Sequence, residues 1–105
     1  FGLTNGTQWR IYAGSAVDGG THDTNVHIVS ALFDGADSVL RIDGTQVASG
    51  DPGTGVFDGL SVGGEPSGSN YANVSVGEWF GYPMDKSSIF ADAEQYLAGG
   101  WGVTI

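Results

Sequence analysis

Over residues 8–13 the chain alternates, with Trp9, Ile11 and Ala13 on one side and Arg10 and Tyr12 on the other. This predicts a short strand that stops at Gly14-Ser15 and Gly19-Gly20, and the stretch after it reads as a polar loop. Residues 25–33 carry Val26, Ile28, Val29, Leu32 and Phe33, a strand pattern covered on both sides and closed by Asp34-Gly35. A hairpin follows. Residues 39–42 and 45–48 flank Asp43-Gly44, a pair that tolerates positive φ at both central positions of a type I′ turn. Two-residue register would pair Ile42 with Thr45, Arg41 with Gln46 and Leu40 with Val47, leaving one face apolar and the other polar.

The second half begins with a loop over 50–55 that contains Asp51-Pro52-Gly53. Residues 59–63 predict a short strand with Leu60 and Val62 inward, and 64–70 another loop. Over 73–82, Val74, Val76, Glu78, Phe80 and Tyr82 share one face and Ser75, Gly77, Trp79 and Gly81 the other, a strand ended by Pro83. Residues 85–98 predict one helix, with Ile89, Phe90, Ala93, Tyr96 and Leu97 facing inward and Gly99-Gly100 closing it. Asp85, Ser87 or Ser88 would cap its start. Residues 101–105 read as a terminal strand or extended tail.

Composition narrows the class. The 105 residues make one domain, and nineteen glycines with 14% charged residues suit short strands joined by tight turns. Twelve acidic side chains against three Lys or Arg leave a formal charge of −9, so the chain lacks the clustered cations that bind nucleic acid. No run is long and apolar enough to insert in a membrane. Without cysteine, neither disulfides nor thiolate metal sites are available. The sequence starts at Phe1 without an initiator Met, and it is read as a processed product or a piece of a longer polypeptide.

Several of these segments resemble a known family. The order His27-Ile28-Val29, Phe33-Asp34-Gly35 and Leu40-Arg41-Ile42-Asp43-Gly44-Thr45-Gln46-Val47 is similar to the central strands of laminin-G-like, concanavalin A-like jelly-roll domains. Gly77-Glu78-Trp79-Phe80-Gly81-Tyr82, the helix, and Tyr96-Leu97-Ala98-Gly99-Gly100-Trp101-Gly102 look like that family's closing strand, helix and Y-L-x-x-K-W-G ending. The family's Lys is Gly100 here, and most of its N-terminal strands are missing. The resemblance implies an all-β fold, an antiparallel jelly-roll β sandwich with one short C-terminal helix. Residues 1–105 would be a single domain forming the C-terminal portion of a larger jelly roll. About six strands are predicted where two complete sheets need roughly twice as many, so strand edges and an apolar face await a cover. That cover would be the remainder of the chain's own precursor or neighbouring copies in an assembly.

Catalysis finds little support. Glycosidases on this fold place paired carboxylates at i and i+2 of one strand, and no predicted strand here carries such a pair. Glu78 is alone on its strand and reads as a partner for backbone or a Tyr, Glu65 lies in a loop, and Asp92 and Glu94 sit two apart on a helix. Gly59-Leu60-Ser61-Val62-Gly63 has the letters of a nucleophile elbow, but Gly64-Glu65-Pro66 cannot start the helix that motif requires. His27 reads as a partly buried, hydrogen-bonded imidazole, and His22 beside Asp23 falls in a loop. The family resemblance allows a Ca2+ site built from loop carboxylates. Asp18, Asp23, Asp34, Asp37, Asp51 and Asp58 all occupy predicted loops or turns without an EF-hand spacing, so no ligand set is assigned.

Binding finds more. Sugar rings stack on exposed aromatic side chains, and Trp79, whose strand face otherwise holds Ser75, Gly77 and Gly81, is the first candidate platform. The alternative is that it packs beneath the helix or the opposite sheet. Asn70, Tyr71 and Asn73 in the preceding loop are further candidates. Two classes follow: a non-catalytic recognition or adhesion module of a surface or secreted protein that contacts glycan or protein, or a structural virion protein such as a capsid decoration, fibre or capsid-surface domain. Either would act outside the cell or on a particle surface.

Overall fold

Asp43 and Gly44 have φ values of 50° and 80°, the double positive φ that a type I′ turn demands. They join β4 (Ser38–Ile42) to β5 (Thr45–Gly50), with Ile42 opposite Thr45 and Arg41 opposite Gln46 as the turn chemistry predicts. Beyond that the register shifts. Leu40 pairs with Ala48, not with Val47, because a bulge lies between Leu40 and Arg41. The extra residue lets consecutive side chains face one way, and both Val47 and Ala48 pack against the core, which a regular strand forbids. β3 (Val29–Leu32) completes an antiparallel sheet of order β3-β4-β5.

The computed structural model describes residues 7–55 and 75–105. Within them the architecture is mostly strand, in two antiparallel sheets, with one short helix towards the C-terminal end. The second sheet pairs β1 (Gln8–Tyr12) with β2 (Ala16–Thr21), the segment expected as loop. Gly19-Gly20 reads as punctuation in sequence, yet Gly19 lies inside β2 where β2 passes β5. A Cβ there would collide with the Val47 carbonyl oxygen and lie 2.8 Å from the Ala48 Cβ, so only glycine lets the two backbones approach. Arg10 faces Asp18 across the β1–β2 pair in a two-pronged ion pair of 2.6 and 2.9 Å, which takes Asp18 out of the list of loop carboxylates.

Ile11, Leu40 and Ile42 form the buried cluster shared by both sheets, with Trp9, Val17, Val29, Ala31, Val47 and Ala48 packed around it. Each fully buried aliphatic side chain contributes about 1.5–3 kcal/mol. The turn between β1 and β2 is held from outside. The Pro52 carbonyl accepts N–H bonds from Ala13 and Ser15 at 2.8 and 2.7 Å, and the Gly55 N–H donates to the Ala13 carbonyl at 2.7 Å.

Other expectations need correction. The strand expected over 25–33 is confined to Val29–Leu32, since the backbone of Ile28 is engaged by the Asp43 turn instead of a neighbouring strand. Residues 75–82 form no strand, and of the two readings of 101–105 the strand does not form: Trp101 ends the helix and 103–105 follow as a tail without regular structure. Ser87–Ile89 is a 3-10 turn whose first N–H is capped by Asp85 at 2.7 Å, and α1 runs Phe90–Trp101. Gly99 and Gly100 stay helical. The stop is Gly102, in the left-handed region at φ 69°, where the last turn's Ala98 carbonyl accepts the Val103 N–H at 3.0 Å. The predicted strand 59–63, the Gly59–Gly63 motif, Asp58, Glu65, Asn70, Tyr71 and Asn73 lie outside the described residues.

The helix is fixed to the sheet by a buried ion pair. Arg41 Nε and Nη2 donate to the two oxygens of Glu94 at 2.7 and 2.8 Å, and Nη2 also donates to the Gly44 carbonyl at 2.6 Å. Glu94 is 2% exposed, and the Phe90 ring lies 5.7 Å beneath the guanidinium. Burial raises the Glu94 pKa, but hydrogen bonds from Arg41 and Ser30 outweigh it and hold the carboxyl below its ordinary value. The inward face therefore centres on buried Glu94 and Ala98, with Ile89, Phe90, Ala93 and Leu97 half-buried as the pattern predicts. Tyr96, expected inside, is 64% exposed.

Candidate functional site

Two constellations stand out among the described residues, one built on His27 and one on an exposed aromatic face. The His27 ring lies between two carboxylates, with Nδ1 2.7 Å from Asp43 Oδ2 and Nε2 2.8 Å from Asp23 Oδ1. The hairpin turn positions Asp43. Its other oxygen accepts the Ile28 N–H at 2.9 Å, and its own N–H donates to the Ile28 carbonyl at 2.9 Å. Asp23 is oriented by the Asn25 N–H, which it accepts at 2.7 Å. Trp9 presents its ring edge-on to His27 and His22, with centroids 5.4 and 5.3 Å away.

Burial pulls the His27 pKa down, but the hydrogen bonds to Asp23 and Asp43 more than offset it, and the imidazole sits above its ordinary value. Asp23 shifts the other way, lowered first by its bond to His27. Sequence reasoning anticipated a partly buried, bonded imidazole and missed both partners. Asp23 four residues before His27 and the turn Asp43 sixteen after it were the only signals. Both ring nitrogens are engaged by carboxylates, so among the described residues this geometry holds a loop to a turn.

The aromatic face is assembled by residues 75–84 against α1. Trp101 lies on the backbone at Gly77, its ring atoms 2.5 to 2.8 Å from where a Cβ would stand, so any larger residue would displace it. Glu78 is clamped from the helix: Tyr96 donates its hydroxyl to Oε1 at 3.0 Å and Trp101 its Nε1–H to Oε2 at 3.2 Å. The carboxylate in turn raises the Tyr96 pKa. Phe80 sits between Tyr82 and Tyr96, with centroids 6.3 and 6.5 Å away. Trp79 is 56% exposed and its ring edge passes close over Gly81, so it packs beneath neither helix nor sheet. Tyr82, Met84, Tyr96 and Trp101 are exposed as well.

Trp79 is thus the candidate ligand-binding residue that the structure places at the surface, and Tyr96 and Trp101 are additions. The signal for them was the pairing of two large aromatics five apart on a glycine-rich helix, which a purely inward face would not carry. The described residues hold no group of three or more His, Asp or Glu side chains arranged to take a metal ion. Among them no helix is long and apolar enough to cross a membrane. Comparison with protein-family models, curated proteins and solved structures returns no match for this chain.

Proposed function

We propose that the chain is a non-catalytic recognition module of a surface or secreted protein, a jelly-roll sandwich of the concanavalin A-like, laminin-G-like type that contacts a glycan or protein surface. The observation that supports this is the set of exposed rings on two packed segments, Trp79 and Tyr82 in residues 75–84 and Tyr96 and Trp101 on α1, the latter two bonded to Glu78. Clustered exposed rings of this kind mark interaction sites, since a soluble domain rarely leaves a contiguous apolar patch open. Among the described residues Glu78 is the carboxylate bonded to those rings, and its two hydrogen bonds favour a positioning role over acid or nucleophile chemistry. A second reading, a structural virion protein, draws on the edge strands that the two-stranded and three-stranded sheets have among the described residues, which neighbouring copies would pair.

The test is a panel of immobilised glycans and surface proteins probed with the chain and with Trp79→Ala, alongside light scattering. Retention that Trp79→Ala loses, without release of sugar, is the expected result. Glycan turnover that vanishes in Glu78→Gln would overturn the non-catalytic reading. Obligate assembly at micromolar concentration, with binding indifferent to Trp79, would favour the virion reading.

A further inference from the structure

The aromatic face carries a charge pattern that selects among partners. All three cations of the chain lie among the described residues, and two of them are spent: Arg10 on Asp18 and Arg41 on Glu94. Lys86 alone remains outside an ion pair there, against twelve carboxylates and a formal charge of −9. Three of those carboxylates belong to the segments that build the face. Glu78 lies in its middle, Asp85 directly follows Met84, and exposed Asp92 is one helical turn before Tyr96 on the same side of α1. Rings at the surface in a negative field are the elements that hold a guanidinium or ammonium, by the ring quadrupole at short range and by steering at long range.

The same charge pattern ranks the glycan alternatives below a cation. An anionic glycan meets like charge. A neutral sugar gains nothing from the long-range field of the face, although each Glu78 oxygen keeps an acceptor site beside the bond from Tyr96 or Trp101. Those bonds leave the negative charge in place, so a cation gains from Glu78 both a hydrogen bond and Coulomb attraction where a hydroxyl gains the first alone.

We infer that the surface that residues 75–84 build with α1 around Glu78, which exposes the rings of Trp79, Tyr82, Tyr96 and Trp101, docks a basic, arginine- or lysine-bearing segment of a partner protein. This rests on the recognition reading above and narrows its partner class. Arginine fits best, because its planar group stacks on indole and phenol rings and is weakly hydrated.

The test is fluorescence anisotropy of a labelled Arg-Gly-Ser repeat peptide, with the matching Lys and Glu repeats and a neutral cello-oligosaccharide as comparisons. The Arg peptide is expected to bind more tightly than the Lys peptide, the Glu peptide not at all, and affinity should fall with added salt. Trp79→Ala and Tyr82→Ala leave the net charge unchanged, and each should weaken Arg-peptide binding by about two- to fivefold, with about tenfold for the pair. Both side chains are more than half exposed, and an unchanged thermal midpoint verifies that each variant folds. Salt-dependent binding that neither variant alters would be general attraction to an acidic surface and would overturn the inference. Trp79-dependent binding of the oligosaccharide with no Arg-peptide binding would overturn it too, while leaving the recognition reading intact.

Discussion

Raising the pH should loosen the protein at one point, the imidazole of His27. Its folded pKa is above the unfolded value of about 6.5, so its contribution is fully present below that value and is lost as pH rises through the folded pKa. The protonated ring donates to Asp43 and Asp23 together, whereas the neutral ring has one N–H and can serve one carboxylate only. The contact to Asp43 carries most of the effect, since the His27 and Asp43 side chains are 14% and 28% exposed while Asp23 is 47% exposed and screened by water. A charge-assisted hydrogen bond contributes about 1.5–3 kcal/mol and a neutral one about 0.5–1.5 kcal/mol, so deprotonation costs about 1 kcal/mol. For a domain near this length that lowers the thermal midpoint by roughly 4–8 °C. Circular dichroism melts between about pH 5.5 and about pH 9 test it, with His27→Gln as the control that cannot take up a proton. The wild-type midpoint should fall across that window and the variant's should stay level. A level wild-type profile, or an equal fall in His27→Gln, would refute the reasoning. On the acid side the sign reverses: the lowered pKa of Asp23 gives a contribution present above its unfolded value and lost as pH falls through the folded one.

Gly19→Ala places a methyl group against the Val47 carbonyl, and forcing β2 off β5 should cost about 1–3 kcal/mol in urea unfolding, whereas Gly99→Ala, with open space around it, should be neutral or stabilising. Arg41→Met strands a buried Glu94 carboxylate and should lose about 3–5 kcal/mol, most of which the double variant Arg41→Met/Glu94→Leu recovers; equal losses in the two would show that the pair's charge is irrelevant to its burial.

Local chemistry was readable where one short segment decides the outcome. Asp43-Gly44 specifies its turn because few dipeptides accept positive φ twice, and Trp9-x-Ile11 specifies β1 because alternation is a property of a single strand. What failed depended on a second segment. The bulge at Val47 and the strand through Gly19 are two sides of one close approach, and neither segment alone shows that the other is there. Gly99-Gly100 looked like a helix end, yet the helix ends two residues on, where Gly102 takes the left-handed conformation that the earlier pair does not need. Arg41 and Glu94 are 53 positions apart and each reads as a solvated charge until the other is placed beside it. For the site, the small residues sharing a face with Trp79 left both an exposed and a packed ring open, and only the structure shows it exposed, while the Glu78 clamp required knowing that α1 lies against residues 75–84.

The double acceptor at Pro52 ties the opening of one sheet to a loop from the other. The amides of Ala13 and Ser15 belong to the tight connection between β1 and β2, which would ordinarily exchange with solvent as fast as any exposed turn. Here they exchange only when the segment after β5 lifts away and takes the Pro52 carbonyl with it. The Gly55 N–H, bonded back to Ala13, is released in the same motion. Deuterium uptake at these three amides therefore proceeds at a shared rate set by residues 51–55, and the connection after β1 reports on a loop nearly forty positions away instead of on its own hairpin.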